Sequence, residues 1–139
     1  MFDIFQQISG LRGKAVAHNE LGEYEKAIED YSEAIRLNPK DSIAYNNLGH
    51  SYGKLGDHQK ALEYYQKAME IREKALPVDH PDIAGSCNNI AWGYVEQEWY
   101  AEAMKWERRA LEIAERTLPK EHPDRRQYQE SVAYLEKYC

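Results

Sequence analysis

Apolar residues recur along this chain at three- and four-residue intervals. Leu48, Tyr52 and Leu55 form one such series, and Ala61, Leu62, Tyr65, Ala68 and Met69 form the next. That spacing marks a single buried stripe on a helix. No stretch of useful length alternates with period two, so strands are not expected. Glycine and proline fall between the periodic stretches, where they punctuate helices. The pattern predicts helices near 3–21, 24–37, 41–55, 58–75, 81–97, 100–117 and 123–138. In the last, Tyr128, Val132 and Leu135 form a packing stripe, while Glu130, Glu136 and Lys137 face water. Phe2 and Phe5 either extend the first helix or cover its end.

The pattern also repeats. GEYEKAIEDYSEAIRLNP (22–39) matches GDHQKALEYYQKAMEIRE (56–73) at an offset of 34, with Gly22, Ala27, Ile28, Tyr31, Ala34 and Ile35 falling on Gly56, Ala61, Leu62, Tyr65, Ala68 and Met69. A second offset, 42, carries ALPVDHPD (75–82) onto TLPKEHPD (117–124), NNLGHSY (46–52) onto NNIAWGY (88–94), and Ala61 and Ala68 onto Ala103 and Ala110. Small residues at Ala27, Ala61 and Ala103 allow two antiparallel helices to approach closely, and Tyr31 and Tyr65 fill the space towards the next pair. Gly22 and Gly56 suit the left-handed conformation that ends a helix. In Asp79-His80-Pro81-Asp82 and Glu121-His122-Pro123-Asp124 the proline fits a first helical position, and the acids favour the positive end of the helix dipole.

Tyr45-x2-Leu48-Gly49-x2-Tyr52, followed by Ala61-x3-Tyr65 and Ala68, resembles the tetratricopeptide repeat (TPR), a helix-turn-helix unit. The first repeat keeps Ala27, Tyr31, Ala34 and Pro39, but its first helix has Leu11, Lys14, Ala15 and His18 in place of the usual residues. The third keeps Ile90, Ala91, Tyr94, Tyr100, Ala103 and Ala110; Glu107 stands where an aromatic belongs, beside Trp106. The 42-residue spacing and the HPD turn are similar to the kinesin-light-chain variety. The resemblance implies an all-α, right-handed superhelical solenoid of three helix pairs plus a C-terminal capping helix. The expected organisation is a single domain over 1–139, with repeats at about 8–41, 42–83 and 84–125 and the cap at about 126–139.

The resemblance also implies a concave wall built mostly from the first helix of each pair. In the family an asparagine just before the core leucine of that helix often grips a peptide backbone. Asn47 and Asn89 match that position; Gly13 and Ser131 stand there in the first repeat and the cap. An amide both donates and accepts, so it can pair with a backbone N–H and C=O together. Helix spacing adds Arg12, Val16 and Asn19, then Ile43, Asn46, His50 and Lys54, then Gly85, Asn88, Trp92 and Glu96, and finally Tyr134 and Tyr138. The expected groove is Asn47, Asn89, Asn46, Asn88, His50, Trp92, Arg12 and Lys54. Trp92 and Tyr134 are its aromatic platforms, with core or cap packing as the plainer role for Trp92. A known subclass clamps chaperone C-terminal carboxylates. Asn47 fits that clamp and Arg12 partly replaces its first lysine, but Val16, Gly85 and Asn89 cannot complete it.

Composition narrows the chemistry further. The 139 residues carry a net charge of −6, and 1–41, 42–83 and 84–139 carry −3, −1 and −2, so no segment is a basic patch for nucleic acid. No stretch approaches the roughly 20 apolar residues of a membrane span. The start MFDIFQQISG has neither the basic leader nor the apolar run of a signal peptide, so the expected location is cytoplasmic. Cys87 and Cys139 make neither a disulfide framework nor a metal cage. Cys87 reads as a packing residue and Cys139 as a free thiol. His80 and His122 read as turn residues, and His50 and His58 lack ligand-like neighbours. Glu63, Glu70 and Glu73 with Lys60, Lys67 and Lys74 read as surface pairs, and Arg108-Arg109 and Arg125-Arg126 as solvated runs. Phosphate-loop, dinucleotide and nucleophile motifs are absent, so neither catalysis nor a cofactor or metal is expected. The reading is a non-catalytic adaptor binding a peptide or partner helix. The alternative is a self-assembling, homo-oligomerising module, suggested by exposed repeat ends and by Gly10 and Gly13 in the first helix.

Overall fold

A computed structural model describes residues 3–139. Among them seven helices follow one another: α1 (Ile4–Glu20), α2 (Tyr24–Leu37), α3 (Ser42–Lys54), α4 (His58–Ala75), α5 (Pro81–Glu96), α6 (Tyr100–Thr117) and α7 (Pro123–Glu136). No described residue lies in a strand. Each helix lies within a few residues of its expected place. Phe5 sits in α1, 77% exposed, and so extends the first helix; Phe2 lies outside the described residues.

The helix ends follow from local chemistry. Asp3 and Gln6 form a reciprocal capping box at the start of α1, with bonds of 2.8 and 3.2 Å. Asp41 caps α3 through the Ala44 N–H, and Asp57 accepts from the Lys60 N–H at the start of α4. His80 and His122 cap α5 and α7. Their Nδ1 atoms accept from the N–H groups of Asp82 and Asp124 at 3.0 and 3.1 Å, and a proline occupies the first turn of each helix. Both histidines are thus turn residues, as the sequence suggests.

Three turns share one geometry. The backbone N–H groups of Glu23, Asp57 and Trp99 reach back to the carbonyls of His18, Tyr52 and Tyr94 at 2.7, 3.0 and 3.0 Å. This is the Schellman closure, and the residue before each donor is left-handed. Gly22 and Gly56 take φ of 76° and 87°. The third turn has no glycine: Glu98, 42 residues beyond Gly56, is held at φ 62°. A side chain there costs about 1 kcal/mol.

The chain divides into two compact units, one ending at Ile71 and the other Arg72–Cys139. In the first, α1 packs on α2 and α2 on α3. Its core contains Ala15, Ala27, Tyr31, Ala44 and Leu48, with Ile28, Ile35, Tyr52 and Tyr64 against it. The α3–α4 crossing is tight, since a Cβ on Gly49 would lie 2.8 Å from the Tyr65 ring and 3.0 Å from the Ala61 carbonyl. Glycine is required there for close approach. In the second unit α5 packs on α6 and α6 on α7. Ala91, Ala103, Met104, Val132 and Leu135 form its core, covered by Tyr94, Tyr100, Trp106 and Leu111. Tyr128, Val132 and Leu135 are all buried, so the expected packing stripe of α7 is the one used.

Candidate functional site

The first helix of each later pair presents its amides in two ways. Asn47 on α3 and Asn89 on α5 are half-buried, with part of each side chain open to solvent. Their sequence neighbours Asn46 and Asn88 are buried, at 9% and 8% exposure. Consecutive helix positions lie about 100° apart, so adjacent asparagines cannot share one face.

In the first unit Asn47 is held in place. The Tyr31 hydroxyl from α2 hydrogen-bonds the side chains of both Asn47 and Asn19. Burial raises the Tyr31 pKa, an effect these bonds partly offset. Asn19 Oδ1 in turn accepts from Ser51 Oγ at 2.8 Å. Asn46 Oδ1 is enclosed and has no hydrogen-bond partner among the described residues. His50 is exposed as a residue, yet its Nδ1 lies 2.9 Å from the Tyr65 hydroxyl. Burial of that face, and then the charge of Lys54, hold the His50 pKa below its ordinary value. Lys54 is exposed on the last turn of α3. Arg12 is turned to Asp41 at 3.3 Å, so its charge is answered within the chain at the α3 cap.

In the second unit Asn88 Nδ2 donates to both carboxylate oxygens of Glu107, at 2.9 and 3.0 Å. Glu107 is completely buried, and the Ser131 hydroxyl of α7 also hydrogen-bonds it. Burial pushes its pKa up to about 7, against the lowering effect of those two partners. Sequence reasoning noted that Glu107 replaces an aromatic but not what it binds; Asn88 and Ser131 lie on other helices. Ser131, at the rank of Asn47 and Asn89, is buried as well. Trp92 is half-buried, with its ring centroid 6.1 Å from that of Tyr134. Gly85 leaves Arg72 as the nearest group, and Arg72 Nη1 donates to the Asp82 carbonyl and to Ser86 Oγ.

Several surface readings change. Lys60 lies 5.1 Å over the Tyr52 ring rather than pairing with a carboxylate on its own face. Glu73 meets Arg109 at 3.5 Å, and Arg109 also sits 5.8 Å from the Trp106 centroid. Arg125 is half-buried, not solvated: its Nη1 donates to the Leu118 carbonyl at the end of α6. Cys87 is fully buried, and burial pushes its pKa up to about 12. Cys139 is exposed. No helix among the described residues is long and apolar enough to cross a membrane.

Comparison with known proteins agrees with this geometry. A family model described as "Tetratricopeptide repeat" matches residues 41–116, and a second, "TPR repeat", matches 17–56. Human tetratricopeptide repeat protein 6 is 45% identical over 42 residues, which span 30% of this chain and 8% of that protein. A kinesin-light-chain-like protein of Podosopora anserina, with nearly identical TPR-like repeats, superposes with a TM-score of 0.85 at 21% identity, over 99% of this chain and 68% of that one. The first TPR of Spaghetti, bound to an HSP90 peptide, gives 0.77 at 16% identity, over 96% and 95% of the two chains. The TPR2B domain of yeast Sti1, in a complex with pHsp70, gives 0.81 at 16% identity, over 96% and 99%. With helix pairs, close-packed small residues, two turns closed by glycine and a family model covering more than half of its length, the chain belongs to the tetratricopeptide repeat family.

Proposed function

We propose that the chain is a non-catalytic interaction module that binds an extended peptide, or a helix, of a partner protein along the first helices of its repeats. The observation that carries this reading is the split between paired asparagines. Asn46 and Asn88 are buried, whereas Asn47 and Asn89 keep part of their side chains in solvent, at the same rank of successive repeats. Each can donate and accept towards a peptide backbone. Asn47 is already oriented by Tyr31, which lowers the entropy lost on binding. The TPR structures bound to an HSP90 peptide and complexed with pHsp70 support a peptide or protein ligand of some kind. The ion pair of Arg12 with Asp41 argues further against a carboxylate clamp at that position.

The test is quantitative capture of partners from a cell extract, comparing wild type with the Asn47→Ala, Asn89→Ala double variant. At about 1 kcal/mol per lost hydrogen bond, affinity falls about tenfold or more. Unchanged capture with unchanged helical circular dichroism refutes the assignment of these amides.

A second reading, self-association, is favoured by the apolar surface at the start of α1. Phe5 and Ile43 are 77% and 51% exposed and, with Ile8, line an open hollow of about 290 Å³ whose remaining wall, Ser9, Arg12, Asn38, Lys40, Asp41 and Ser42, is polar. Light scattering over a concentration series decides: a constant monomer mass excludes this reading.

A further inference from the structure

The second unit carries a run of aromatic rings, of which only Tyr100 packs against the core described above. Trp92 of α5 lies 6.1 Å from Tyr134 of α7, centroid to centroid, and Tyr134 lies 5.3 Å from Tyr138. Tyr138 stacks on Tyr100 of α6 at 4.3 Å, with planes 15° apart. Three helices and the turn after α7, which carries Tyr138, thus bring four rings into one continuous series. Its middle is open, since Tyr134 is 39% and Tyr138 50% exposed. All these steps are too short to admit another planar group between rings, because each face-to-face contact needs about 3.5 Å. A guest must lie on the ring surface of Tyr134 and Tyr138 that stays open to solvent.

Two other ring surfaces in this chain are covered by its own cations: Lys60 over Tyr52 and Arg109 over Trp106. No lysine or arginine among the described residues lies over the four rings of this run. The charge around it is mostly negative. Glu98 is exposed beside Tyr100; partial burial first, and then this carboxylate, raise the Tyr100 pKa. Glu130 lies one helical turn before Tyr134 and is exposed. Of the bases at this end, Arg108 reaches towards Glu136 at 4.0 Å, which leaves Lys137 as the counterweight beside Tyr138.

We infer that the run from Trp92 through Tyr134 and Tyr138 to Tyr100 is a docking surface for an arginine-bearing extended segment of a partner protein, with a guanidinium lying flat on the tyrosine faces and its charge answered by Glu98 and Glu130. A guanidinium is planar and weakly hydrated, so it stacks on an aromatic face with little desolvation cost. An ammonium is compact and strongly hydrated and gains less there. The Tyr138 hydroxyl donates to the Tyr134 hydroxyl at 3.3 Å, so the Tyr134 hydroxyl and the Trp92 indole N–H are the donors suited to the carbonyls of such a segment. The inference deepens the peptide-binding reading above and rests on it.

The probe is a synthetic nine-residue peptide of alternating arginine and proline, titrated into the full chain. Matched peptides carry lysine or citrulline in place of arginine; citrulline keeps the plane and loses the charge. The indole N–H resonance of Trp92, assigned with Trp92→Phe, reports occupancy. The arginine peptide shifts this resonance saturably, and citrulline weakens binding about fivefold or more, with lysine between them. Tyr134→Ala with Tyr138→Ala weakens it about tenfold. Glu98→Gln with Glu130→Gln weakens it less and flattens its salt dependence. Equal binding of citrulline and arginine overturns the inference without any variant, and so does an unmoved Trp92 resonance at about 1 mM arginine peptide. If the arginine peptide fails while Asn47→Ala, Asn89→Ala still loses partners, only the docking inference falls. If that double variant keeps its partners, the amide reading falls whatever the arginine peptide does.

Discussion

Replacing Glu107 by glutamine isolates one buried charge in a chain whose other carboxylates are mostly at the surface. Glu107 holds its proton up to about pH 7 in the folded protein, against 4.5 for an ordinary glutamate. A raised folded pKa means that the group's contribution to stability is complete below pH 4.5 and is lost as pH climbs towards 7. The loss converts to about 3 kcal/mol by pH 8, as an upper figure. Glu107 is fully buried, so solvent screening removes little of it. Glutamine carries no charge and still offers an oxygen to Asn88 and Ser131. The variant is therefore expected to match wild type near pH 4 and to exceed it by about 1–3 kcal/mol at pH 8. Urea unfolding followed by circular dichroism between pH 4 and 8 measures both curves. The exposed carboxylates titrate alike in the two proteins and cancel in the difference. A difference that stays flat across this window, or that favours wild type as pH rises, refutes the account.

Other substitutions test the packing and the turns. Gly49→Ala forces a methyl group against the Tyr65 ring and the Ala61 carbonyl, and it disturbs the Tyr65–His50 bond. It should destabilise by about 1–2 kcal/mol despite the better helix propensity of alanine, and thermal melting reads this directly. Glu98→Gly relieves the left-handed strain at the α5–α6 turn and should raise stability by about 1 kcal/mol; a lowered melting temperature would contradict it. A disulfide reagent such as Ellman's should titrate one thiol in the native protein and two in denaturant. Cys139 is open, whereas Cys87 is enclosed and stays protonated up to about pH 12.

The helices were legible because each signal that sets them is local. Apolar spacing fixed their faces, Gly22 and Gly56 fixed two turns, and the two HPD segments fixed the starts of α5 and α7. Partnerships between helices were less accessible. The departure at Glu107 is visible in the repeat alignment, but Asn88 and Ser131 lie 19 and 24 residues away on different helices. Placing Asn46 with Asn47, and Asn88 with Asn89, on one face spread that face over adjacent positions, and burial separates them. Arg12 has the charge of a ligand-binding residue, but Asp41 lies within its reach. The strain at Glu98 could have been found, since an offset of 42 from Gly56 lands on it. The boundary between the two compact units falls within the continuous helical pattern of α4, where the sequence gives no break.

The bonds from Glu107 to Asn88 and Ser131 bear on any attempt to lengthen this protein by tandem duplication. Ser131 occupies the rank that Asn89 holds in the third repeat. A duplicated copy of 84–125 would therefore set an asparagine where α7 now offers a small hydroxyl, directly against a sealed carboxylate. Tyr65 shows the aromatic that belongs at the rank of Glu107. An array grown from this hairpin must restore that ring in every internal copy and reserve the glutamate for the copy that precedes the terminal helix.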